Sequence, residues 1–173
     1  MILIPLLIMT FAIIDFGRLI QARLVVTNLS REGGSLASRD IESAGDLITM
    51  LQHGSSPLDI ATNGKIYIWK IRAGASADSP DPFINYALSA NRGALHVDSS
   101  VDGQPDLGLS PQIYNHLVFD PDNQMADISE VTVVEVFYKY TPITPISNVI
   151  RVLDPTAPPL LAGDTIIKSR AVF

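Results

Sequence analysis

Residues 1–24, MILIPLLIMTFAIIDFGRLIQARL, decide how the rest of this chain is read. The first fourteen carry no charge and a single proline, Pro5. Wound as a helix they rise about 21 Å, whereas a bilayer core asks for about 30 Å, or roughly 20 residues. Three readings are open: the core of a signal peptide, a core helix of a soluble domain, or part of a longer membrane helix. No small-x-small cleavage site closes the run, which speaks against the first. A helix apolar on every side needs a large core around it, and a chain of 173 residues hardly supplies one, which speaks against the second. The third accommodates the charges at the end of the run. Asp15 and Arg18 stand at i and i+3, share a face, and can pair. An ion pair near a membrane boundary costs far less than a lone charge, and a proline is tolerated in such a helix.

Beyond Asp15 the apolar residues recur at helical steps of three and four: Phe16, Leu19, Ala22, Val26, Leu29, Gly33, Leu36, then Ile41, Ala44, Ile48 and Leu51. Gly33-Gly34 lowers helix propensity and marks a bend or a place where another backbone comes close. Gly54 with Ser55, Ser56 and Pro57 is a stop. The expectation is a rod, straight or bent, reaching to about His53. Fifty helical residues would span about 75 Å, more than the rest of the chain can bury. The chain therefore divides into an apolar membrane-spanning half-helix over 1–22, an amphipathic half over 23–53, and a β-rich head over 54–173.

In the head, Lys65–Arg72 (KIYIWKIR) and Val131–Tyr140 (VTVVEVFYKY) read as strands, rich in β-branched and aromatic residues. Asp164–Phe173 alternates, with Ile166, Lys168 and Arg170 facing one way and Ile167, Ala171 and Phe173 the other. Ala94–Asp98 is a weaker strand candidate, and Asn85–Asn91 a candidate short helix. Turn-rich stretches cover Ala73–Pro82, Ser99–Pro111, Asp120–Ser129 and Thr141–Gly163, the last with five prolines. The expected class is α+β: a long N-terminal helix, transmembrane then amphipathic, packed on a small antiparallel sheet.

Composition narrows function. The hydrophobic fraction is 47% and the charged fraction 17%, with a net charge of −6, which argues against a nucleic-acid binder. Charge is unevenly spread. Residues 1–39 hold two acids against four arginines, while residues 40–128 hold twelve acids against four bases. A basic, apolar arm thus leads into an acidic middle. The absence of Cys removes disulfides, thiolate metal sites and a Cys nucleophile. His53, His96 and His116 lie in different segments with no HExxH pairing, so zinc is not expected. Two acidic turns are weak candidates for calcium: Asp98, Asp102 and Asp106 in one, Asp120, Asp122 and Asp127 in the other. Neither has EF-hand spacing, and solvated Asp-rich turns account for both more simply. Walker A, Rossmann and nucleophile-elbow motifs are missing, so no catalytic residue, cofactor or small-molecule substrate is expected.

The stretch IIDFGRLIQARLVVTNLSREGG resembles the N-terminal region of TadE-like proteins, the pseudopilins of tight-adherence pilus systems. The residues that carry the resemblance are Asp15-Phe16-Gly17-Arg18, Leu19-Ile20, Thr27-Asn28 and Arg31-Glu32-Gly33. Val131–Tyr140, leading into Thr141-Pro142-Ile143-Thr144-Pro145-Ile146, is similar to the family's strand and proline-spaced turn, and the final strand fits as well. Ser35 departs from the pattern, where an Arg commonly stands. The family pattern also has a basic leader, a prepilin-peptidase cleavage site and an early glutamate, none of which lies within this sequence. The resemblance implies a pilin-like fold and a non-enzymatic assembly subunit of the bacterial inner membrane with its head on the periplasmic side. Its partners would be lipid and other transmembrane helices or pilin-like subunits, met through Asp15, Phe16, Gly17, Arg18 and Gly33. The other reading is a single-pass accessory subunit of a different membrane complex, capped by the same head.

Overall fold

The computed structural model describes residues 3–39, 42–144 and 165–173. Helix α1 spans Leu3–Ala37, 35 residues. Helix α2 covers Ala44–Gly54 and α3 covers Ile60–Asn63; the strands are β1 Gly64–Arg72, β2 Phe83–Ile84, β3 Ala90–Arg92, β4 Glu130–Tyr140 and β5 Thr165–Val172, with α4 at Pro111–Leu117 between β3 and β4. The sheet is antiparallel throughout. β4 lies at its centre between β1 and β5, and both β2 and β3 pair with the outer edge of β1. The class is α+β, with a long apolar helix packed on a small sheet.

The three strong strand expectations hold: Lys65–Arg72 lies in β1, Val131–Tyr140 in β4, and the last strand in β5. Asp164 lies outside the described residues, as do Ile41 and all but the first four residues of the proline-rich stretch 141–163. Register explains why VTVVEVF is nearly unbroken in its apolarity. Val134 and Val136 look toward α1 and α2, in one core with Val26, Leu29, Leu47, Ile48, Leu51, Ile66 and Ile68. Val131 and Val133 look the other way, in a second core with Trp69, Ile71, Val101, Leu109 and Leu117. A strand covered on both faces loses the polar half of its alternation.

The rod expected to reach His53 is broken. α1 runs straight through Gly33-Gly34 and ends at Ala37, and the chain starts a new helix behind an N-cap at Ser43. Ser43 Oγ accepts from the Asp46 amide at 3.2 Å and donates to Asp46 Oδ2 at 2.6 Å. The reason is burial: an unbroken rod would leave Leu47, Ile48 and Leu51 in water, whereas α2 lays them on the sheet beside α1. The glycines mark neither a bend nor a neighbouring backbone but the close approach of side chains. A Cβ on Gly33 would meet Leu51 Cδ1 at 2.7 Å and Val134 Cγ1 at 3.3 Å, and one on Gly34 would run into the Phe173 ring.

Two local expectations fail. Asn85–Asn91 is not a helix but the middle of an interrupted edge strand. Between β2 and β3 the Lys70 amide donates to Ser89 Oγ at 3.1 Å, and Ser89 Oγ donates to the Asn85 carbonyl at 2.8 Å. The serine hydroxyl replaces a missing ladder partner, so the chain bulges outward without leaving the sheet. Ala94–Asp98 is irregular rather than a strand. Its first amides are spent on the carbonyls of Ala61 and Gly64, at 3.0 and 3.1 Å, and β3 already occupies that edge of β1. Helix α4, not foreseen, carries a recognisable start: Ser110 caps it and Pro111 opens it.

Candidate functional site

α1 packs on β4 and β5 with its upper half only. Ala22, Val26, Leu29, Ser30, Gly33, Gly34 and Ala37 are buried. Ser30 Oγ meets Ser169 Oγ of β5 at 2.7 Å. At Asp15 the helix leaves the head. Leu3, Leu6, Leu7, Met9, Ile13, Ile14 and Phe16 are all exposed, Leu3 at 77%. Among the described residues, this is the one helix long and apolar enough to cross a membrane by length and composition. So wide an apolar surface calls for cover by lipid or protein.

Where the helix leaves, the inward residue is Asp15 and not its apolar neighbour Phe16. Phe16 is 64% exposed and Asp15, one position earlier, is 3% exposed. The inner stripe therefore reads Asp15, Leu19, Ala22, Val26. The carboxylate fits because the chain just past β4 wraps under the helix and spends its donors there. The amides of Ile143 and Thr144 donate to Asp15 Oδ1 at 3.1 and 3.3 Å, and Thr144 Oγ1 donates to Oδ2. Tyr140 OH donates to the Asp15 main-chain carbonyl at 2.9 Å. The pairing with Arg18 that the spacing allows is not formed: Asp15 turns inward to this clasp, and Arg18 stays exposed. Three helical steps leave the two side chains about 60° apart around the axis, enough to put one on the sheet side and the other outside. A sequence pattern of Asp on an apolar face opposite a Thr-Pro-Ile-Thr turn could have signalled the clasp.

Beside the clasp an apolar groove of about 390 Å³ is lined by Met9, Ile13, Phe16, Leu19, Tyr140 and Pro142. Its floor is the crossing of helix and loop. Of the other residues expected at a helix interface, Gly17 has no atom within 4 Å of where a Cβ would stand and so presents an open surface. Gly33 does not lie on an outer surface: it is the internal seam of α1, α2 and β4.

The acidic turns are tied up locally. Asp102 accepts from Tyr86 OH at 2.9 Å, and Asp106 accepts from the Gly108 amide at 2.9 Å. Asp120 accepts from the Asp122 amide and from Asn123 Nδ2, while Asp127 pairs with His116 Nδ1 at 2.7 Å. Asp98 is exposed and, after burial, is the next cause that raises the Tyr67 hydroxyl above its usual range, ahead of Glu135 and Asp102. Among the described residues no three His, Cys, Asp or Glu side chains come together in a way that could hold a metal ion.

One buried acid went unnoticed in the sequence. Glu135, on the sheet face away from α1, is fully buried. Ser99 Oγ, Ser100 Oγ and the Ser100 amide donate to it, and Lys168 Nζ lies 3.5 Å away. Trp69 Nε1 in turn donates to Ser99 Oγ at 2.8 Å. The carboxylate is thus satisfied by protein donors, so the group latches the 99–109 loop to the sheet rather than standing ready for chemistry. A lone Glu in a valine-rich strand was the available signal.

The sequence of the N-terminal segment matches a known family. Residues 1–35 match the family model for TadE-like protein. The TadE-like segment thus takes in the whole exposed half of α1, the Asp15 clasp position, and the buried stripe up to the Gly33 seam. Searches of curated proteins and of solved structures found no match to the chain.

Proposed function

We propose that this chain is a membrane-anchored TadE-like pseudopilin or pilus-assembly subunit, structural and non-enzymatic. Residues 1–22 span the bacterial inner membrane, and residues 23–53 and 54–173 form a head on the periplasmic side. The observation that carries this reading is the exposed apolar half of α1, continuous with the helix that cores the head and matched by the TadE-like model. A continuous helix holds the head at a fixed angle to the anchor, and the Asp15 clasp stiffens the junction. Such a part suits lateral assembly with lipid and with other transmembrane or pilin-like helices around it. The buried carboxylates are spent on loops, which suits a structural role.

The test is fractionation and topology in a bacterium that carries a tight-adherence system. The expected result is a carbonate-resistant membrane pellet, digestion of the head by protease added from the periplasmic side, and photo-crosslinks from position 13 to a second membrane helix. Full-length chain in the soluble fraction would overturn the proposal.

A further inference from the structure

We propose that the lower rim of the head is sunk into the lipid, with Phe16, Ile20, Pro142 and Ile143 at acyl-chain depth and Leu24 in the headgroup layer. This rests on the membrane-anchor reading above and specifies where the membrane surface lies. The apolar face does not stop where the head begins. Phe16, Ile20 and Leu24 form an exposed i, i+4, i+8 stripe on α1 that starts at the groove Phe16 shares with Tyr140 and Pro142. Ile20 stands about 9 Å above Ile14, the last residue of the uncharged run, and extends the apolar surface by that much. Leu24 stands about 6 Å higher, within the thickness of the interfacial layer.

The clasp then acquires a reason. Asp15 lies about 7.5 Å below Ile20 along the axis, so the loop bound to it is carried to the same depth. Irregular backbone at membrane depth is tolerated only where its polar groups are satisfied by protein. The Ile143 and Thr144 amides are satisfied by the Asp15 carboxylate, and the Ile143 side chain is left exposed beside them. The carboxylate in turn faces the protein rather than the lipid. Charge fits the same level. Arg18 and Arg23 are exposed on α1, and a guanidinium on a long stem can reach lipid phosphates from just inside the boundary. The occupant of the stripe is therefore an anionic bilayer.

The chain has no cysteine, so single labels are unambiguous. Full-length Met9→Cys, Ile20→Cys, Ile143→Cys and Met125→Cys proteins, each carrying an environment-sensitive fluorophore, go into phosphatidylethanolamine–phosphatidylglycerol vesicles. Quenching by acyl-chain brominated lipid is compared with quenching by iodide in the water. Labels at 20 and 143 should be quenched by the brominated lipid as strongly as the label at 9, and several-fold more than the one at 125. Labels at 20 and 143 open to iodide, with 9 still in lipid, would overturn the sunken rim and leave the anchor standing. Labels at 20 and 143 shielded from both quenchers would overturn it in favour of a protein occupant. A label at 9 open to iodide would bring down the anchor reading itself. Should the Ile143 variant fail to fold, position 20 decides alone.

Discussion

The two halves of α1 share a backbone and a residue vocabulary but not an environment. Leu24 is 59% exposed and Leu29, five residues on, is 4% exposed. Above Leu24 the helix is apolar on one stripe and polar elsewhere, as a helix on a sheet should be. Below Asp15 it is apolar on every side, as a helix in lipid should be. The difference teaches that helix formation here owes little to the immediate surroundings, while stability of the head owes everything to the upper stripe. The sharpest way to break the comparison is one charge placed in each half. Val26→Asp puts an unpaired carboxylate where nothing is exposed and should cost more than about 4 kcal/mol, enough to unfold the head. Ile13→Asp should leave the head's thermal unfolding in detergent unchanged while lowering recovery in the membrane pellet. Equal damage to the head from both would mean the halves are not separate.

The next largest effect belongs to the junction. Asp15→Ala strands the Ile143 and Thr144 amides and removes the partner of Thr144 Oγ1. At about 1–3 kcal/mol for each buried donor left unmet, partly recovered by water, the loss should be about 2–4 kcal/mol. It should appear as faster hydrogen exchange at those two amides, with Val134 and Val136 still protected. Asp15→Asn keeps an oxygen where Oδ1 accepts both amides and should lose about 1 kcal/mol. A global rather than local rise in exchange would show that the clasp holds the sheet and not only the loop.

How much of the molecule is legible in its sequence depends on the range of the signal. KIYIWKIR and VTVVEVFYKY announce strands because β-branched and aromatic residues fit a pleated surface wherever they pair. The apolar run and its helical continuation are equally plain. Features set by contacts distant in sequence are not legible. Asn85–Asn91 has helical composition, yet Ser89 completes an edge-strand bulge only because Lys70 lies opposite. The apolar periodicity from Phe16 onward passes over Asp15, which turns inward because donors arrive from residues 128 and 129 positions away. The break after Ala37 follows from the sheet's need for a second helix, which no local pattern states.

The smallest effects test the glycines, and they sharpen the comparison because the two positions should respond in opposite ways. Gly33→Val adds a side chain against Leu51 and Val134. Leu51 can yield, being the tip of a flexible side chain, so the cost should be about 1–3 kcal/mol of overpacking, read as a lower midpoint of thermal unfolding in detergent. Gly17→Ala meets nothing within 4 Å in the isolated chain. In detergent it should stabilise the helix by up to about 1 kcal/mol, since alanine is the better helix former. In a bilayer the same methyl group would hinder any second helix that packs on Gly17 at the level of the lipid-facing stripe, because small residues are what permit such approach. Self-association measured by energy transfer between labelled copies in vesicles should therefore fall while stability in detergent rises slightly. If association is unchanged, Gly17 faces lipid alone, and the contact between copies must be sought on another side of the helix.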